Sequence, residues 1–231
     1  MRTAAWLTKE DWVMKRVVAI AVLVFAASSY GAPTVADLGT TPGNVAAPLV
    51  YMGQLSGSLA NEAMAANTTQ VFLERESVTL AVALALSDGS SILAGTAVSS
   101  YIVHFDPVGT PTSVYEGHGT ITFDRPVLGV IYATNDTSTY TLLTASDTAV
   151  GLGPAFYDAD PLQRKLEIPQ ATWQDVVSFS GNVVTVNLFT TSSMDEVRII
   201  TACPVPAPGA LALLALGTGL VGWLHRRNML P

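Results

Sequence analysis

From Asp37 to Cys203 the chain is rich in Thr, Val, Ser and Gly and carries five basic residues, Arg75, Arg125, Arg164, Lys165 and Arg198. A surface α-helix typically fills its outer face with Lys, Arg and Glu, and this stretch supplies few of them. A strand is less demanding, because successive side chains point to opposite faces and only every second one must suit a core. Val78, Leu80, Val82, Leu84 and Leu86 alternate with Thr79, Ala81, Ala83 and Ala85. That period of two predicts a strand over 78–86 with one face buried. Ser87-Asp88-Gly89-Ser90 then forms a turn.

Further strands are expected at 99–105, 119–123, 127–133, 176–179, 183–189 and 197–201. Pro126 separates the third and fourth of these, because it has no N–H to donate to a ladder. Ser180-Gly181-Asn182 is a hairpin signal between 176–179 and 183–189. Seven or more short strands joined by turns predict an all-β domain over 37–203, a β-sandwich of jelly-roll type, with a barrel as the nearest alternative. Residues 58–66 suit a helix or a loop. Residues 146–166, with Gly151, Gly153, Pro154 and Pro161, read as a long irregular connection.

Charge and cysteine content narrow the function. Sixteen acidic residues fall between Asp37 and Cys203, so the body carries a formal net charge of −11 against −7 for the whole chain. A negative field repels polyanions and argues against a nucleic-acid partner. Cys203 is the single cysteine, so the chain has no internal disulfide and its core must hold it together.

The two ends are of a different kind. Met14-Lys15-Arg16 precedes an apolar stretch from Val17 to Ala27 and then small residues, the order of a signal peptide over 1–31. Cleavage after Gly31 and near Ala36 both fit, and translation is expected to start at Met14. At the other end, Val205-Pro206-Ala207-Pro208 leads into an uncharged run from Gly209 to Leu224, followed by His225-Arg226-Arg227. As a helix the run spans roughly 24 Å, close to membrane length once the arginines snorkel. Arg226 and Arg227 place the C-terminus on the cytoplasmic side and the body outside.

This 205–227 segment, VPAPGALALLALGTGLVGWLHRR, resembles the PEP-CTERM sorting signal of Gram-negative bacteria. Val205, Pro206 and Pro208 match the usual Val-Pro-Glu-Pro form, and Ala207 stands where that family most often has Glu. The resemblance implies recognition by an exosortase-type membrane protease and anchoring in the inner membrane, transient or retained, before display at the surface or secretion. The body has a resemblance too, carried by VHFDPVG at 103–109, GTITFDRPVLGVI at 119–131, Ser146-Asp147 with Leu152-Gly153-Pro154, and DEVRIIT at 195–201. These are similar to an uncharacterised extracellular β-domain of exported PEP-CTERM proteins. That implies location and architecture, with no catalytic residues.

Candidate sites in the body are few. If the 99–105 and 119–123 strands pair, His104 and Asp106 approach Glu116 and His118 at a sheet end, a donor set for a transition ion. Calcium suits an acidic exported domain better, since it takes several carboxylate and carbonyl oxygens. Asp106, Asp124 and Asp147 are its candidate ligands, each in or near a turn; Asp residues also occupy turns by bonding their own backbone. No Gly-x-Ser-x-Gly elbow and no phosphate loop is present, so no catalytic residue is assigned. Trp173 and Tyr157 are the candidate stacking faces for a sugar. The expected function is an exported envelope or matrix protein that binds exopolysaccharide. The competing readings are a secreted polysaccharide hydrolase and a purely structural surface domain.

Overall fold

The computed structural model describes residues 31–60, 66–109, 112–169, 172–191 and 193–203. The signal peptide, the 209–224 helix and the sorting motif with Arg226 and Arg227 lie outside these residues, as does most of the 58–66 segment. No helix among the described residues is long and apolar enough to cross a membrane.

The described residues are mostly strand. In chain order they form β1 (Thr34–Asp37), β2 (Val45–Ala46), β3 (Leu49–Gln54), β4 (Thr69–Thr79), β5 (Leu84–Ala85), β6 (Ser91–Ile92), β7 (Ala97–Phe105), β8 (Tyr115–Thr122), β9 (Val127–Ile131), β10 (Val176–Ser180), β11 (Val183–Thr190) and β12 (Asp195–Ala202). One α-helix, α1 (Tyr140–Ala149), interrupts them. One five-stranded sheet runs β1-β8-β11-β10, with β2 also pairing with β8; the second runs β3-β4-β7-β12-β9. All pairings are antiparallel except β2 with β8 and β3 with β4.

The alternation along β11 shows why this segment is a strand: Val184, Val186, Leu188 and Thr190 are buried while the residues between them are only half-buried. The first three meet Ile121 of β8 and, from the other sheet, Val71, Leu73, Val103, Phe105, Val197 and Ile199 in one shared core. Each such side chain, fully buried, contributes about 1.5–3 kcal/mol. The two-residue turn Gly181-Asn182 closes β10 on β11, with Gly181 at φ +60°, a region open to glycine. Asn182 Nδ2 also donates to Phe123 O at 2.6 Å, which ties this hairpin to the end of β8.

The second sheet is covered on its outer side as well. Residues of β12 are buried on both faces: Val197 and Ile199 join the shared core, while Ile200 packs with Leu143 of α1 and with Leu80, Leu84, Leu86 and Ile92. The chain from α1 through residues 146–166, the stretch expected as a long irregular connection, is therefore not purely irregular. It contains α1 and a 3₁₀ turn at Pro154–Phe156, and it roofs part of the outer face of this sheet.

The expected single strand over 78–86 is also corrected. β4 ends at Thr79 and the chain turns back on itself, with Leu80 N–H bonded to Thr96 O at 3.0 Å and Gly95 N–H bonded to Leu80 O at 2.8 Å. Four of the five alternating apolar residues are buried, under α1 rather than in the main core, and Val82 faces water at 67% exposure. A period of two records which side chains seek burial; it does not say that the backbone stays paired.

Candidate functional site

On the outer face of the second sheet, even-numbered positions of β4, β7 and β12 carry Glu74, Ser100, His104, Glu196 and Arg198. Covering segments add Asp147 from α1, and Tyr157 and Arg164 from the connection after it. Arg198 is fully buried, and its Nε and Nη2 each lie 2.8 Å from Glu74, with Nη2 also 2.9 Å from Asp147. Arg164 holds Asp147 with two bonds of 2.7 and 2.9 Å and donates from Nε to Glu196 at 2.5 Å. His104 Nδ1 is 3.0 Å from the other oxygen of Glu196. Burial pushes the Glu196 carboxyl up, but Arg164 and His104 outweigh it and hold the group below its ordinary value. The Tyr157 ring centroid lies 4.9 Å from the guanidinium carbon of Arg164 and 5.0 Å from that of Arg198, and its hydroxyl donates to Glu74. Burial, then the neighbouring Glu74 charge, raises the phenol well above its ordinary value.

None of these ionic groups is more than 2% exposed, and each carboxylate has a guanidinium partner. The arrangement ties the 140–166 segment to the sheet. It offers no face to a substrate.

This geometry relocates several expected site residues. Tyr157 is 4% exposed and enclosed by the network, so it has no stacking face. Asp147 is committed to Arg164. Asp106 is buried just beyond the end of β7, and Asp124 is exposed in the β8–β9 turn beside Arg125. These three aspartates lie on separate elements and do not converge. The expected His104–His118 approach does not form either, because β7 and β8 belong to different sheets. Glu116 instead accepts from Thr41 N, Thr41 Oγ1 and Asn44 Nδ2 at 2.7, 3.0 and 2.9 Å, pinning the 41–44 turn. His104 belongs to the network rather than facing solvent.

Trp173 is exposed as expected, at 53%. Its backbone sits at φ +56°, a region that costs a bulky L-residue on the order of 1–3 kcal/mol and persists only where the surroundings impose it. It borders a cavity of about 370 Å³ also lined by Glu167, Phe189, Thr190, Thr191 and Ser193. An aromatic face thus stands beside hydroxyl and carboxylate groups in one open depression.

Glu167 belongs at the same time to a cluster with Asp175 and Asp195, whose carboxylate oxygens lie within 4.8 Å of one another. Asp175 leads into β10, and its two oxygens accept from Glu167 N at 2.5 Å and Phe189 N at 2.7 Å. Asp195 opens β12 and is fully buried, and among the described residues neither of its oxygens has a hydrogen-bond partner; Glu167 Oε2 is likewise buried without one. Burial raises Asp175 to about 7 despite its two backbone bonds. It raises Asp195 well above the carboxylate range, and the charges of Asp175 and Glu167 push the same way. Glu167 is also raised by burial.

These three carboxylates were not among the expected ligands, although a signal for Asp195 was present. It shares strand parity with Val197 and Ile199, so it had to point toward the core. Glu167 and Asp175 flank Trp173 in sequence, and only the tertiary fold brings them together with Asp195.

Comparison of the chain with protein-family models, with curated proteins and with solved structures found no match. Its class is therefore defined by the fold and the depression alone: a mostly-β protein of two main sheets and one short helix, with an aromatic and acidic open site.

Proposed function

We propose that this chain is an exported cell-envelope or extracellular-matrix protein whose two-sheet body, a β-sandwich of jelly-roll type, binds exopolysaccharide at the Trp173 depression. The observation that carries the reading is Trp173 itself: half its surface is open, its backbone is held in a costly conformation, and Thr190, Thr191 and Ser193 line the same cavity. Pyranose rings present an apolar C–H face and equatorial hydroxyls. An indole plane with hydroxyl and carboxylate neighbours matches both. Export and sorting rest on the sequence of the two ends, with an exosortase-type membrane protease as the processing partner.

A hydrolase needs two carboxylates that both reach the glycosidic bond. Glu167 and Asp175 are close enough to pair, but Asp175 is fully buried with both oxygens held by backbone N–H groups. One carboxylate facing the cavity favours binding over cleavage.

The test is retention of the purified full chain on immobilised polysaccharides, with soluble products measured alongside. Retention is expected, with no product released, and Trp173→Ala abolishes it while leaving the urea unfolding midpoint in place. Retention that survives Trp173→Ala, or none on any envelope polysaccharide, would overturn the binding reading; product release would replace it with hydrolysis. The mass of the mature protein tests sorting separately, since a tail still ending at Pro231 contradicts processing at the 205–208 motif.

A further inference from the structure

We infer that Glu167, Asp175 and Asp195 form a calcium site in the wall of the Trp173 depression. Three carboxylates converge within 4.8 Å, yet among the described residues no arginine, lysine or histidine forms an ion pair with any of them. The nearest candidate in sequence, Lys165, donates its ammonium to Asn135 Oδ1 at 2.6 Å. The contrast with the network on the outer face of the second sheet is informative. There the same molecule buries three carboxylates and supplies two arginines to hold them. Here it gathers two buried carboxylates and a partly buried one, and among the described residues the nearest cation, Lys165, acts on Glu167 and Asp195 only through its field, without an ion pair.

Asp195 points to what is missing. It is fully buried, both its oxygens lack hydrogen-bond partners among the described residues, and one of them lies within 4.8 Å of a carboxylate oxygen of Glu167 and of Asp175. Leaving a buried polar group unpaired is costly, and an ionised one more so. A cation bound among the three would satisfy Asp195, take up the free Oε2 of Glu167, and use the remaining lone pairs of Asp175.

The donor chemistry selects the ion. All ligating atoms are carboxylate oxygens, with no thiolate or imidazole in the group, which suits a hard cation. Calcium accepts irregular sets of six to eight oxygens and bidentate carboxylates, whereas magnesium demands near-octahedral geometry and keeps several waters. The cavity that Glu167 lines gives the ion an entry route and room for water ligands.

Position adds a consequence. The ligands come from the segment after α1, from the lead into β10 and from the first residue of β12, so one ion would cross-link three stretches of chain that border the depression. This inference does not rest on the polysaccharide reading, because its test contains no sugar.

Calcium chloride is titrated by calorimetry into the chelator-treated full chain, and the thermal midpoint is recorded with calcium, with magnesium and with excess chelator. Saturable binding of one calcium per chain is expected, with a higher midpoint that chelator reverses and a much smaller response to magnesium. Asp195→Asn removes the central charged ligand and is expected to weaken binding by roughly a hundredfold; Glu167→Gln, at the cavity wall, by roughly tenfold. Because Glu167 is only partly buried, its variant keeps the test decisive should Asp195→Asn fail to fold. No saturable binding to the wild-type chain at millimolar calcium would overturn the site. So would wild-type affinity in Glu167→Gln together with either wild-type affinity or loss of folding in Asp195→Asn.

Discussion

Replacing Arg198 by Met removes the guanidinium at the centre of the outer-face network while keeping much of the aliphatic stem. The loss is large by construction. Arg198 is fully buried and makes two 2.8 Å bonds to Glu74, one 2.9 Å contact to Asp147, and further bonds to Ser146 Oγ and, at 3.4 Å, Leu143 O. After Arg198→Met, Asp147 and Glu196 still share the guanidinium of Arg164, but Glu74 has no cationic partner among the described residues. Glu74 keeps only the hydroxyls of Ser100, at 2.6 Å, and Tyr157. Removing one partner of a buried ion pair costs about 3–5 kcal/mol, and no solvent reaches this one to screen the charge left behind. That is a large fraction of the about 5–15 kcal/mol by which a domain is stable. Urea unfolding followed by circular dichroism measures it. The double variant Glu74→Gln/Arg198→Met removes the stranded charge as well, so its loss should fall short of the sum of the single variants by about 2 kcal/mol or more. A loss under about 1 kcal/mol in Arg198→Met, or additive losses in the double variant, would refute the claim that this buried pair is coupled.

In chelator, the carboxylate cluster should make stability fall as pH rises. The ordinary value for Asp175 is 3.8 and burial raises it to about 7. Its contribution is therefore complete below about pH 4 and lost by about pH 7, on the order of 4 kcal/mol at most. Asp195 and Glu167 act in the same direction. Glu196 acts oppositely: its lowered value contributes stability above the ordinary 4.5 that is lost as pH falls below it. Urea midpoints across pH should thus peak near about pH 4–5 and decline toward 8, with calcium reversing the decline; a rise from 5 to 8 in chelator contradicts the assignment. Gly119→Ala should cost about 1–3 kcal/mol by overpacking, because the added Cβ would sit 2.5 Å from Ala36 O and 3.0 Å from a Leu49 methyl. A urea midpoint unchanged by that substitution would mean that the β1–β8 pairing gives way without cost.

How much was legible depended on whether the signal was local. The 99–105, 119–123, 127–133, 176–179, 183–189 and 197–201 segments were expected as strands and are strands within a few residues, because alternation and turn residues act over short spans. β1 to β3 and most of β4 carried no such alternation. Helix α1 was hidden because its ten residues are rich in Thr and Ser, weak helix formers, and its buried face is only Leu143, Ser146 and Asp147. Trp173 was legible as a candidate because a large aromatic beside polar residues stands out. Tyr157 looked equivalent in sequence, and only the roof formed by 140–166 distinguishes a buried phenol from an open indole.

By itself the sequence determined the β character of the body, its acidity, its dependence on a core without disulfides, and the parity that turns Asp195 toward that core and Arg198 away from it. Composition and period are sufficient for these because they act along the chain. The tertiary structure alone decided which charges meet. Glu74 and Arg198 are 124 residues apart, and Glu167 lies beside Asp195 although separate stretches of chain carry them. Electrostatic energy depends on distance in space and on exclusion of water, and neither is encoded in spacing along the chain. For that reason one acidic triad came out neutralised by arginine, while the other has no ion-pair partner among the described residues.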